Sequence, residues 1–158
     1  MNFLQKHLLS QKEVKEVQNK IKDMYGVTIT SEKIEIGKEK RRVFYFVDGV
    51  LSFFNDQLIP TLCFAQKYGL KIPWVVIDEG AVKAIARGAD LYAPGVIESS
   101  TEIKPGSLLL VKTRLGQPVA LMIVDEGAIE ALKVKKGKIA TALHWIGDEI
   151  WDMCKPKN

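Results

Sequence analysis

Between Gln11 and Tyr25, apolar side chains recur at Val14, Val17, Ile21 and Met24, with charged residues between them. That three-to-four spacing predicts a helix that buries one narrow seam. Ser10 before it and Glu13 three residues on make a capping box, and Gly26 supplies the stop. Packing on the chain's own sheet is the preferred reading of the seam; a partner's surface is the alternative. The period then falls to two. Val27-Thr28-Ile29 and Ile34-Glu35-Ile36 alternate as short strands. Arg42–Val47 and Val50–Phe54 flank Asp48-Gly49, a dipeptide that tolerates the positive φ angles of a tight hairpin. Both faces of this hairpin are apolar, which predicts a central place in the sheet. Pro60 marks the start of a second helix carrying Leu62, Ala65 and Tyr68 on one face, with Gly69 as its stop. Lys71-Ile72-Pro73 is the expected hinge between residues 1–71 and 72–158, two domains expected to pack together.

The second half opens on a run from Trp74 to Val96. A β-branched strand ends at Asp78, placed to cap a helix whose apolar stripe is Ala81, Val82, Ile85 and Ala86. Lys83 and Arg87, four apart, are expected to share another face. Gly88 is read as the helix stop, and Pro94-Gly95 punctuates the next strand. Residues 108–113 and 119–124 read as two strands, and Asp125 as the cap of a helix over 126–132. Closing strands are expected at 138–144 and 149–153. Many short strands with two helices imply a small barrel-like sheet.

The Trp74–Val96 run resembles the signature of a PUA domain, the small RNA-binding module of pseudouridine synthases and archaeosine transglycosylases. Ile103-Lys104-Pro105-Gly106-Ser107 with Leu108-Leu109-Leu110-Val111, and the closing Lys136-Gly137-Lys138-Ile139-Ala140 with Gly147-Asp148-Glu149-Ile150-Trp151, follow in the same order. Upstream, Val47-Asp48-Gly49-Val50-Leu51-Ser52-Phe53-Phe54, Pro60-Thr61-Leu62 and Lys67-Tyr68-Gly69 make the chain similar to the malignant T-cell-amplified family and the N-terminal part of ligatin. The resemblance covers about residues 43–153, while residues 1–40 match poorly. It implies an α+β chain, with a small mixed N-terminal domain followed by a C-terminal PUA pseudo-barrel. It also implies a non-catalytic translation factor, for which the cysteine usage sets a cytoplasmic place. Its partners would be the small ribosomal subunit, the tRNA acceptor end and a protein bound through the N-terminal domain.

Charge sharpens this picture. Residues 1–71 hold twelve Lys/Arg against eight Asp/Glu, and residues 72–158 hold eleven of each, so the whole +4 lies in the first half. A basic half beside an RNA-type module suits a polyanion, although a solvated lysine surface would have the same composition. The longest apolar runs are too short for a membrane span. Cys63 and Cys154 are far apart in sequence and in no metal-ligand spacing, so reduced thiols are expected, with Cys63 a small core residue.

Catalytic chemistry finds little support. His7 and His144 lack a Cys or carboxylate partner at recognisable spacing, and His144 reads as a structural histidine. Asp78-Glu79 looks like an acid/base pair, but capping and the helix dipole account for both. Trp74, Trp145 and Trp151 read mainly as core. No cofactor and no metal are expected. The RNA-binding candidates are Lys83 and Arg87 for phosphates, Gly88 and Ala89 for close approach, Asp90 and Leu91 in the following loop and strand, and Lys136 and Lys138 as an extended cationic path. The alternatives are a ribosome-biogenesis factor, an accessory subunit of an RNA-modifying enzyme, and a protein adaptor using the first helix.

Overall fold

A computed structural model describes residues 5–157. The described residues divide into two compact units: residues 5–71 with 152–157, and Ile72–Trp151. The last segment, expected with the second half, thus belongs to the first unit. Counted this way the first unit carries fourteen Lys/Arg against nine Asp/Glu, and the second nine against ten.

The first unit is an antiparallel five-stranded sheet in sequence order: β1 (Gln5–Leu8), β2 (Ile34–Glu39), β3 (Arg42–Val47), β4 (Val50–Phe54) and β5 (Ile59–Pro60). Helix α1 (Gln11–Tyr25) begins with the capping box, in which the Glu13 N–H donates to Ser10 Oγ at 3.1 Å and the Ser10 N–H donates to Glu13 Oε1 at 3.0 Å. Gly26, at φ +68°, ends it. Val14, Val17 and Ile21 are buried within this unit, which removes them as a free partner surface. Met24 points outward, 44% exposed, and Tyr25 takes its place. The buried Tyr25 hydroxyl donates to the Leu58 carbonyl at 2.7 Å, and burial pushes its pKa up. Asp48 and Gly49 both have positive φ, as a two-residue β3–β4 turn demands, and β3 is the middle strand. Residues 27–29 form no strand; Val27 and Ile29 are buried without a ladder partner. Helix α2 (Leu62–Lys67) is capped by the Thr61 side chain, while Pro60 sits in β5 opposite Phe53.

The second unit holds β6 (Trp74–Ile77), α3 (Glu79–Ile85), β7 (Leu91–Tyr92), β8 (Val96–Ser99), β9 (Leu108–Lys112), β10 (Pro118–Val124), α4 (Ala128–Val134) and β11 (Lys138–Trp145). Its sheet order is β7-β11-β10-β9-β6-β8, with β6 and β9 parallel and the other pairs antiparallel. The two edge strands, β7 and β8, are joined directly by the one-turn 3-10 helix Ala93–Gly95. The chain therefore links edge to edge, and the sheet curls into a nearly closed pseudo-barrel. Val75, Leu109, Val111, Ala120, Met122 and Ile139 fill its core. Each fully buried large side chain stabilises the fold by about 1.5–3 kcal/mol.

Three sequence expectations fail in this part of the chain, the first and the last for a long-range reason and the second for a local one. Asp125 does not cap α4, whose N-cap is Gly127 without a side-chain bond; its carboxylate is taken by β11 instead. Residues 149–153 are not a strand but part of helix α5 (Glu149–Cys154), because Asp148 Oδ1 accepts the Trp151 N–H at 2.7 Å. Finally, Cys63 and Cys154 are not separate thiols. They form a disulfide across 91 residues of sequence, with their Cα atoms 6.0 Å apart. Among the described residues, no helix is long and apolar enough to cross a membrane.

Candidate nucleic-acid interface

Asp78 Oδ1 accepts the Ala81 N–H at 2.8 Å, and the Asp78 N–H donates to the Gly95 carbonyl at 3.0 Å. One residue thus both starts α3 and ties it to the turn that closes the barrel. The helix ends at Ile85, earlier than Gly88, with Ala86 as C-cap. Arg87 consequently lies in the turn after the helix. Backbone bonds from Arg87 and Ala89 to the Ala84 carbonyl, and from Gly88 to Ile85, hold this turn in one shape.

Gly88 has φ +87°, and a Cβ built on it would stand 2.8 Å from Cζ2 of Trp145. The space expected to admit RNA at that Cα is filled by the indole. Glycine is required there because the turn rests on Trp145. Trp145 is held in turn by Asp148: Oδ2 accepts the Trp145 N–H at 3.0 Å and meets His144 Nδ1 at 2.8 Å. Burial opposes ionisation of Asp148, but the His144 ring and the N–H groups of Trp151 and Trp145 outweigh it and hold the carboxyl below its ordinary range. His144 itself is fully buried in the wall of the barrel.

The strand after the turn is fastened by a second carboxylate. Asp90 Oδ1 accepts the Ala142 N–H at 2.8 Å, and Oδ2 pairs with Lys138 Nζ at 3.1 Å. Lys138 also lies 3.6 Å from Asp125 Oδ2, while Thr141 donates to Asp125 Oδ1 at 2.9 Å. The Ala142 N–H, against some cost of burial, and Lys138 keep the Asp90 carboxyl below its ordinary range; Asp90 and Asp125 raise Lys138. This Asp90–Lys138–Asp125 bridge spans β7, β11 and the end of β10.

The eight sequence candidates therefore divide. Lys83, Arg87 and Lys136 are exposed, and none of them forms an ion pair with a described residue. Ala89 is half-buried in the turn. Leu91 is 1% exposed, in the core, and cannot be reached by a ligand. Gly88, Asp90 and Lys138 are already engaged within the protein. A further residue joins the exposed set: Tyr92, 54% exposed and paired in register with Lys138 across β7 and β11. Strand alternation after buried Leu91 was the signal for it. Trp74 is half-buried with Lys112 Nζ 4.6 Å from its ring centroid. No group of three or more His, Cys, Asp or Glu able to hold a metal ion occurs among the described residues.

Comparisons with known proteins follow the two units. Residues 73–144 match the PUA domain model, and residues 5–68 match a model described as a domain of unknown function (DUF1947). Translation machinery-associated protein 20 of Saccharomyces cerevisiae is 30% identical over 84% of this chain and 80% of its own length. Malignant T-cell-amplified sequence 2 of Homo sapiens is 29% identical over 68% of this chain and 63% of its own. A conserved PUA domain protein from Thermoplasma acidophilum superposes with a TM-score of 0.85 at 30% identity, covering 96% of this chain and all of that one.

Proposed function

We propose that this chain, which belongs to the PUA-domain family that includes translation machinery-associated protein 20 and the malignant T-cell-amplified proteins, binds RNA in translation and performs no chemistry of its own. The observation that carries this reading is the exposed set Lys83, Arg87, Lys136 and Tyr92 on a rigidly fastened frame. Three cations supply phosphate contacts, and one aromatic face supplies a stacking platform. The engaged residues Gly88, Asp90, Lys138 and Asp148 hold that set in place and do not themselves contact RNA. A rigid backbone frame suits recognition of a single-stranded end, because little order must be created on binding. The finer assignment we draw from the family is the small ribosomal subunit and the tRNA acceptor end, with the basic first unit adding affinity for rRNA.

The absence of catalysis rests on the same geometry. His144, the one histidine of the second unit, is sealed in the barrel wall against Asp148 and has no exposed face to offer a substrate.

Crosslinking on native ribosomes, followed by sequencing of the attached RNA, tests the proposal. Reads concentrated on mature small-subunit rRNA and tRNA 3′ ends are expected. Reads on precursor rRNA would replace this role with ribosome biogenesis. A single modified tRNA position would point to an enzyme complex, and no enrichment of any RNA would remove the binding function.

A further inference from the structure

The disulfide joins two cysteines of different accessibility. Cys63 lies partly exposed on α2, whereas Cys154, at the end of α5, is 5% exposed. Beside Cys63 is a small cavity of about 50 Å³ lined by Val47, Val50, Ser52, Phe64, Lys67 and Tyr68. Lys67, one helical turn beyond Cys63, lines the same cavity. The segment that carries Cys154 also holds the Asp152–Lys155 ion pair at 3.3 Å.

We propose that Cys63–Cys154 is a thiol–disulfide exchange site, open at Cys63, through which a small dithiol releases the segment after Asp152 from α2. The first thiolate of the dithiol attacks Cys63 Sγ. The S–S bond breaks, and its electron pair leaves on Cys154 Sγ, which takes up a proton. The second thiol of the reagent, after losing its proton, attacks the mixed disulfide and expels Cys63 as thiolate. Overall, two electrons and two protons pass from the dithiol, which becomes a disulfide, to the two cysteines. Attack at Cys63 follows from access, and the exposed cations Lys155 and Lys157 are carried on the segment that is set free. Disulfides inside cells are commonly transient and redox-sensing, which fits a bond with one reachable sulfur better than a permanent staple.

The test uses the oxidised full-length chain at neutral pH. Reduced glutathione, a monothiol, is added briefly, the mixture is quenched in acid, and peptides are mapped by mass. Glutathione is expected on Cys63 and not on Cys154. Dithiothreitol should then give both free thiols and raise amide exchange at least tenfold over residues 152–154, with α3 and β11 unchanged. Adduct on Cys154, or full retention of the bond in dithiothreitol while the chain stays folded, would overturn the proposal. So would unchanged exchange of residues 152–154 after reduction. As a check on access, Cys63 in C154S should label with a soluble disulfide reagent at least tenfold faster than Cys154 in C63S; equal rates would also sink it.

Discussion

The Trp145 indole occupies the space where a side chain at position 88 would begin, 2.8 Å from the Cβ that any other residue would carry there. Gly88→Ala must therefore adopt a strained left-handed backbone and displace the indole at once. A loss of about 1–3 kcal/mol in stability is expected. Urea unfolding would measure it, and a midpoint equal to wild type would show that the turn is not held against Trp145.

In the proposed interface, Lys83 and Arg87 would meet RNA by charge alone. If four to six phosphates of a single strand are neutralised, log affinity should fall against log salt with a slope of roughly −3 to −4. The double variant Lys83→Gln, Arg87→Gln should flatten that slope by about one to one and a half and leave unfolding untouched. Titrations at several salt concentrations decide it. An unchanged slope and affinity would take both residues out of the interface.

The role proposed for Tyr92 is stacking, so its removal should show no such salt signature. Tyr92→Ala is expected to weaken binding of a single-stranded tRNA 3′ end by about 1–3 kcal/mol, with the salt slope retained. Tyr92→Phe should keep most of the affinity. If both variants bind as wild type, the aromatic platform lies elsewhere.

Asp148 predicts an acid limb in stability. Its carboxyl is held below the ordinary range in the folded chain, so the unfolded chain binds the proton more readily. Its contribution is fully present above about pH 4, the unfolded carboxyl's range, and is lost as pH falls through the folded value. Asp148→Asn should cost about 1–3 kcal/mol near neutrality, since buried N–H groups lose a charged acceptor. Stability curves from pH 2 to pH 6 should converge for the two proteins at the acid end. Curves that stay parallel would assign the acid limb to other groups.

The disulfide should carry a large share of the first unit's stability. Closing a loop of this length in the unfolded chain corresponds to about 4–5 kcal/mol in a chain-entropy estimate, and measured effects more often fall at about 2–4 kcal/mol. C63S/C154S should unfold at correspondingly lower urea than the oxidised chain. Reduced wild type should match the double variant; a reduced form as stable as the oxidised one would contradict this.

What could be read beforehand was mostly local. The Ser10–Glu13 capping box, the Asp48-Gly49 turn and the Asp78 cap each involve groups within three residues, and each stands as the sequence implied. Asp78 and Asp125 show where such reading ends. Both precede the same Glu-Gly-Ala run, yet Asp78 caps its helix and Asp125 is recruited by Lys138 and Thr141 of β11. Nothing within three residues distinguishes them. The Cys63–Cys154 pairing and the seat of Gly88 on Trp145 likewise depend on residues 91 and 57 positions apart, which no periodicity reports. Among the site candidates, Lys83 and Arg87 could be named from charge, but the engagement of Asp90 and Lys138 with each other could not.

The first unit is discontinuous, and this affects the order in which the protein is made. Residues 72–151, which form the whole barrel, are translated before Asp152 is added. The five-stranded sheet leaves the ribosome earlier, but without the segment that carries Cys154. It must wait through the synthesis of an entire domain for its last piece. Vectorial synthesis therefore leaves Cys63 unpaired for longest among the elements of the first unit, a reduced nascent state that precedes every oxidised one.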